Sequence, residues 1–253
     1  MTTRKQRRTR PSTRKSTPGG PSASHWLYGL HAVHAALENP RREIRRLIAT
    51  EAVATTLPAA TIRPEIVDRR AIDETLRGDA VHQGIAAQVL PLEQPDLETA
   101  LTAADADAPL LVLDHVTDPH NVGAILRSAA AFGAQGVITT DRHAPPETGA
   151  LAKAAAGALE RVPLVRVANL ARALSRIAQA GYWVLGLAAD GARGLAEAAP
   201  VPRTALVLGA EDTGLRRLTR ETCDEIVRLP IRDDVDSLNV SNAAAVGLYE
   251  LTR

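Results

Sequence analysis

Leu110-Leu111-Val112-Leu113-Asp114-His115-Val116-Thr117-Asp118-Pro119-His120-Asn121-Val122-Gly123-Ala124-Ile125-Leu126-Arg127-Ser128 is the stretch on which the fold turns. Its first four residues form a short, wholly apolar run, the pattern of a parallel strand buried on both faces. Asp118 can cap a helix whose first turn accommodates Pro119, and helical spacing continues to about residue 132. Within that helix Asn121 and Arg127 stand six residues apart, so they fall on different faces and would meet a ligand from different directions. Arg127 shares its face with Gly123, Ala124, Ala130 and Ala131, small residues that let another backbone or a nucleotide approach closely.

Outward from this stretch the alternation of strand and helix continues. Strands are expected at 136–140, 161–166, 182–188, 204–208 and 225–229, with helices at 147–157, 169–180, 214–220 and 239–251. Such alternation implies a mainly parallel sheet covered by helices, with ligands held beyond the carboxyl ends of its strands. Toward the N-terminus, residues 25–92 read as a smaller α/β unit: helix 28–38, strands at 44–48 and 62–67, a short helix at 72–77 and a closing strand at 84–90. Residues 93–108 read as a linker containing a weak helix, and 109–253 as the larger domain. No repeat of solenoid period is present.

Composition narrows the function classes. Hydrophobic residues make up 45% of the 253 positions and aromatics only 2%, so the core rests on Leu, Val, Ile and Ala. Aromatic platforms for single-stranded bases are almost lacking. One cysteine, Cys223, excludes an internal disulfide and a cysteine-based zinc site and suits a reducing, cytoplasmic setting. No apolar run approaches the ~18 residues of a membrane span. Asp114, His115, Asp118 and His120 are metal-ligating types, as are His31 and His34, but a loop entering a helix accounts for the first group and no metal is expected. The chain has neither a GxGxxG fingerprint nor a P-loop.

Net charge is +1, unevenly placed. Residues 1–24 carry Arg4, Lys5, Arg7, Arg8, Arg10, Arg14 and Lys15 and no acid, leaving 23 bases against 29 acids, a net of −6, in the rest. This basic arm lacks the apolar centre of a signal peptide. It reads as a disordered segment that finds phosphates; a transit peptide and a merely solvated tail are the alternatives.

Two further strand ends carry polar groups and glycine. In Leu206-Val207-Leu208-Gly209-Ala210-Glu211-Asp212-Thr213-Gly214-Leu215, Asp212 or Thr213 can cap the next helix and Glu211 can complement its dipole. In Leu229-Pro230-Ile231-Arg232-Asp233-Asp234-Val235-Asp236-Ser237-Leu238-Asn239-Val240-Ser241-Asn242-Ala243, Ser237 and Asn239 precede a helix and can serve as caps.

Together, in this order and spacing, the three segments resemble the motifs of the SpoU (TrmH-like) family of RNA 2′-O-methyltransferases, within the SPOUT superfamily. The first is Asn121-x-Gly123-Ala124-x-x-Arg127, the second Leu208-Gly209-Ala210-Glu211 with Gly214, and the third Ser237-Leu238-Asn239-Val240-Ser241. Tyr28-Gly29-Leu30-His31-Ala32-Val33 and His82-Gln83-Gly84-Ile85 resemble the L30e-like RNA-binding domain of the ribosomal branch, and the likeness runs over about residues 25–253. The sequence departs from the pattern at Asp233-Asp234-Val235-Asp236, where small residues are usual.

The resemblance implies a C-terminal SPOUT domain with a parallel sheet and trefoil knot, preceded by an L30e-like domain, and a homodimer. It implies S-adenosyl-L-methionine held by loops around Leu208, Gly209, Gly214, Leu229, Ile231 and Leu238. Asn121, Arg127, Glu211, Ser237 and Asn239 become the RNA-side catalytic residues. The implied reaction is 2′-O-methylation of a guanosine in large-subunit ribosomal RNA. Arginine is a poor base, so Arg127 is expected to clamp a phosphate and stabilise alkoxide charge, with Glu211 holding Arg127 or an amide in place. The alternatives are a tRNA ribose as substrate, or an inactive RNA-binding ribosome-assembly factor.

Overall fold

The structure is a computed structural model that describes residues 24–58, 62–78, 80–102, 107–198, 203–232, 234–235 and 237–253. The basic arm lies outside the described residues except for Ser24, as do Asp233 and Asp236 of the acidic loop.

The N-terminal unit comprises β1 (His25–Tyr28), α1 (Leu30–Glu38), β2 (Ile44–Ala49), α2 (Glu51–Ala54), β3 (Glu65–Ile66), α3 (Arg69–Leu76) and β4 (Ile85–Val89). Its sheet has the order β1-β4-β2-β3. The expected helix at 28–38 begins two residues late, because Tyr28 closes a strand that pairs antiparallel with β4. Gly29, at φ +90°, makes the turn from that strand into α1, a conformation that suits glycine.

After α4 (Leu97–Thr102), the helix expected within the linker, the larger unit alternates as the sequence implies. It runs β5 (Leu110–Asp114), α5 (Pro119–Ala131), β6 (Gly136–Thr140), α6 (Gly149–Ala155), β7 (Leu164–Val167), α7 (Leu170–Gln179), β8 (Trp183–Leu187), β9 (Arg193–Gly194), α8 (Leu195–Ala198), β10 (Thr204–Gly209), α9 (Arg217–Thr222), β11 (Glu225–Arg228) and α10 (Val240–Thr252). Every strand pair in this seven-stranded sheet, ordered β7-β6-β5-β10-β8-β11-β9, is parallel. All five residues of β5 are buried, as the apolar run requires. The strand order reverses between β5 and β10, which defines a switch point at their carboxyl ends.

Three local readings are corrected. The strand expected from 161 starts at Leu164, after a 3-10 turn at Ala158–Glu160. β9 and α8 had no sequence signal. The helix expected at 214–220 begins at Arg217, and neither Asp212 nor Thr213 caps it. Residues 210–214 instead fold back as a bridge between Ala210 and Gly214. The buried Asp114 carboxylate, from the end of β5, accepts from the Arg216 backbone N–H at 3.0 Å and from its Nε at 2.6 Å.

The two units share one apolar core, in which Leu27, Val33 and Ile85 join Leu111, Ile125 and Leu151. A Cβ on Gly149 would stand 2.3 Å from the Tyr28 ring, so α6 meets β1 at van der Waals contact. Beside it lies a buried charge network. Arg42, with a side chain 0% exposed, pairs with Glu160 and Glu147 at 2.6 Å each and donates to the Leu90 carbonyl. Burial alone would raise the Glu147 carboxyl; the hydrogen bond from His25 and the charge of Arg42 outweigh it and hold Glu147 below the usual range.

Candidate active site

Three loops meet beyond the carboxyl ends of β8, β10 and β11 and enclose a cleft of about 340 Å³. Leu208, Gly209, Gly214, Leu229, Ile231 and Leu238 all line it, as do Glu211 and Ser237. The loop after β10 needs glycine twice. A Cβ on Gly209 would lie 2.1 Å from the Gly214 carbonyl carbon, so the chain can double back only where that atom is absent. Gly214 itself takes φ +62°, a conformation glycine adopts without steric cost.

At the rim, the first and third motifs are joined through the second. Glu211 Oε1 accepts from Asn121 Nδ2 at 3.0 Å, from Asn239 Nδ2 at 2.6 Å and from the Val240 backbone N–H at 3.4 Å. Asn239 Nδ2 also donates to Asn121 Oδ1 at 3.0 Å. Asn239 caps α10, its Oδ1 accepting from the Ser241 N–H and hydroxyl. Glu211 therefore faces the N-terminus of α10, not that of α9 as its place in the chain suggested. There the positive end of the helix favours its charge. Asn121 is buried at the start of α5, while Asn239 and Glu211 are exposed.

Two family profiles match the chain: the SpoU rRNA Methylase family over residues 108–249, and the RNA 2′-O ribose methyltransferase substrate-binding domain over residues 26–95. The chain belongs to the SpoU family. It is 42% identical over 243 residues to the 23S rRNA (guanosine-2′-O-)-methyltransferase RlmB of Pseudomonas aeruginosa, covering 91% of this chain and 97% of that one. It is 39% identical over 242 residues to the enzyme of the same name from Vibrio vulnificus, covering 91% and 97%. Its fold is like that of the SpoU methyltransferase AviRb from Streptomyces viridochromogenes in complex with the cofactor AdoMet, with TM-score 0.74, 24% identity, and 91% and 89% of the two chains covered.

The SpoU cleft fits such a cofactor on its own chemistry. Leu187, Leu208, Leu229, Ile231 and Leu238 make an apolar wall suited to a flat base, and Glu211, Thr213 and Ser237 supply polar contacts. Asp190 also lines the cleft, its carboxylate paired with Arg220 through two hydrogen bonds of 2.8 and 2.9 Å. Leu187, Asp190, Thr213 and Arg220 escaped the sequence reading; Leu187 and Asp190, at the end of β8, carry no glycine-marked motif. Cys223 does not line the cleft, and burial first, then Asp224 and Asp114, push its thiol up to about 12.

Arg127 stands apart. It is exposed on α5, does not line the cleft, and makes no hydrogen bond or ion pair with any described residue. Glu211 thus holds amides and not Arg127. Gly123, on the small-residue face, serves close packing within the chain: its Cβ would lie 2.5 Å from the Leu151 carbonyl oxygen of α6. Of the metal-ligating types that precede the first motif, Asp118 caps α5, Asp114 binds Arg216, and His115 stacks on His143 with ring centroids 4.5 Å apart.

Proposed function

We infer that this protein transfers a methyl group from S-adenosyl-L-methionine to the ribose 2′-hydroxyl of a guanosine in 23S-type ribosomal RNA. The observation that carries the reading is that the second and third SpoU motifs line one cleft and Asn121 of the first is joined to them through the Glu211 carboxylate, in a chain about 40% identical to the RlmB enzymes over nine-tenths of its length. The second profile gives the N-terminal unit to substrate binding, which favours a structured ribosomal RNA over a tRNA.

The cofactor supplies a methyl group activated on a sulfonium. The chain must then bind it, orient the ribose and manage one proton. In our reading the apolar wall and the backbone around Gly209 hold the adenine. Glu211 fixes the amides of Asn121 and Asn239, and these together with Ser237 orient the 2′-hydroxyl. Arg127 clamps the adjacent phosphate and stabilises charge as the hydroxyl oxygen loses its proton. The proton passes outward to solvent, because a guanidinium cannot take it.

Arg127 lies outside the cleft of its own chain, so the proposal extends to a homodimer. Support comes from α10 and the end of α5, where the Phe132 and Tyr249 rings lie 6.3 Å apart and Val246 and Tyr249 are 43% and 53% exposed, apolar surface that a second copy can cover. We also propose that residues 109–253 form the knotted domain, that residues 25–92 form an RNA substrate-binding domain joined to it by the linker 93–108, and that the basic arm adds sequence-independent affinity. Among the described residues no helix is long and apolar enough to cross a membrane, in keeping with a cytoplasmic location. The deciding experiment incubates the full chain and labelled cofactor with unmodified 23S transcript and with total tRNA, then maps the methylated riboses. Label in a 23S guanosine is expected; label only in tRNA, or none, would refute the reading.

A further inference from the structure

On the same edge of the sheet as the cofactor cleft, beyond the ends of β5, β6 and β7, lies a second cleft of about 310 Å³. None of the SpoU motifs contributes to it. Its lining includes His115, Arg142, His143, Arg216 and the first turn of α7.

Its charge is one-sided. Arg142 is exposed, and its guanidinium makes no ion pair or hydrogen bond with a described residue. Arg216 spends its backbone N–H and Nε on Asp114, which leaves both terminal nitrogens unengaged by described residues. Asp114 is wholly buried, and among the described residues no acidic one lines the cleft. Asn169, Leu170 and Ala171 at the start of α7 also line it; Asn169 Oδ1 caps the helix by accepting from the Arg172 N–H at 3.0 Å, which leaves the Leu170 and Ala171 N–H groups without an intrahelical partner.

One wall is aromatic. His115 and His143 both take left-handed backbone conformations, φ +61° and +67°, and their rings lie 4.5 Å apart at 33°. Two left-handed residues other than glycine at one cleft mark a geometry held in place by its surroundings. Burial first, then the charge of Arg216, hold His115 below the usual histidine range. Near neutral pH it therefore offers a ring face and not a charge.

Position links this cleft to the reaction. Asp114 lies in register with Gly209 across β5 and β10. Adjacent strands are about 4.8 Å apart, so the end of β6 lies about 10 Å from that of β10, within reach of a nucleotide flanking the one in the active site. Unstacked RNA bases are commonly held against histidine rings and arginine planes, with phosphates on cations and helix N-termini.

We propose that this cleft is a second RNA subsite, which holds a nucleotide flanking the methylated guanosine: its phosphate between Arg142, Arg216 and the start of α7, its base on the His115–His143 wall. The proposal rests on the RNA-methylating function above. The test uses the full chain and 23S transcript, with filter binding across a salt series and calorimetry with S-adenosylmethionine. Arg142→Ala should weaken RNA binding about 10-fold, the scale of one hydrogen bond to a charged group. It should also flatten the log–log salt slope by about 0.7, one single-strand phosphate contact. Arg142→Glu should weaken binding further. The double variant His115→Asn, His143→Asn keeps a residue that tolerates the left-handed backbone; it should lose RNA affinity at unchanged salt slope. Cofactor affinity should stay at the wild-type value in all variants, and saturating RNA should restore turnover. Wild-type RNA affinity and salt slope in every variant would overturn the subsite. A wild-type protein that binds the transcript without methylating it would refute the enzymatic reading, while the binding series still judged the subsite. No binding at all would overturn both.

Discussion

Removing the Glu211 carboxylate tests whether the rim of the cleft is one cooperative unit. Glu211→Ala deletes the acceptor shared by Asn121 Nδ2, Asn239 Nδ2 and the Val240 N–H. The exposed Asn239 amide can turn to water, and the 3.4 Å bond from Val240 is too long to count for much. Asn121, 9% exposed, cannot turn to water. Its stranded Nδ2 sets the stability cost at about 1–3 kcal/mol, or roughly 2–12 °C in melting temperature for a chain of this size. Activity should fall further than stability does. Both amides lose the group that orients them, and a displacement of about 1 Å at a reacting geometry costs on the order of 100-fold in rate. Glu211→Gln keeps a carbonyl acceptor but loses the charge, so its losses should be intermediate. The assay is methyl transfer at saturating RNA and cofactor, beside thermal melts of Glu211→Ala, Asn121→Ala and the double variant. The double variant should lose clearly less than the summed single losses, because the two side chains act through one contact. Glu211→Ala with wild-type turnover, or strict additivity, would refute the cooperative rim.

Arg127→Ala should preserve cofactor binding in calorimetry while turnover falls roughly 100- to 1,000-fold, the range for removing one charge-stabilising donor; Arg127→Lys should rescue little, since it lacks the planar two-point contact. Weakened cofactor binding with normal turnover at saturation would make Arg127 a support of the pocket. Gly209→Val should act in the opposite order, losing cofactor affinity first, because the new side chain meets the Gly214 backbone. Arg42→Met should cost about 3–5 kcal/mol, since it strands the buried Glu160 and Glu147, whereas replacing all three by apolar residues should recover most of that loss in chemical denaturation. Glu147 is held below its unfolded value. Its contribution should therefore be complete above the ordinary glutamate value near 4.3 and disappear as pH falls through the folded value, an acid loss that Glu147→Gln should reduce.

Much of this was legible because local chemistry speaks for itself. The apolar run Leu110–Leu113 has the pattern of a doubly buried strand, and Asp118-Pro119 suits a helix start where the structure begins α5. The loop after β10 was marked in the sequence by Gly209 and Gly214, and only the resemblance to the SpoU motifs assigned it to a cofactor; the structure shows why glycine is needed, since the chain doubles back on itself there. Other elements were illegible for equally physical reasons. β1 is four residues long and exists because β4 offers it a partner, so Tyr28 looked helical. α9 takes its N-terminal support from Asp114, 102 residues away, so its start could not be read from Asp212 or Thr213. Only the fold could show that Glu211 serves α10 and two asparagines instead of its own neighbours, or that His115 and His143 share a wall. Strand and helix type are set by side chains a few positions apart, whereas the partner of a charge is set by which strand ends the sheet order brings together. For the same reason the motifs were visible in the sequence, while the place of Arg127, outside the cleft of its own chain, came only from the tertiary structure.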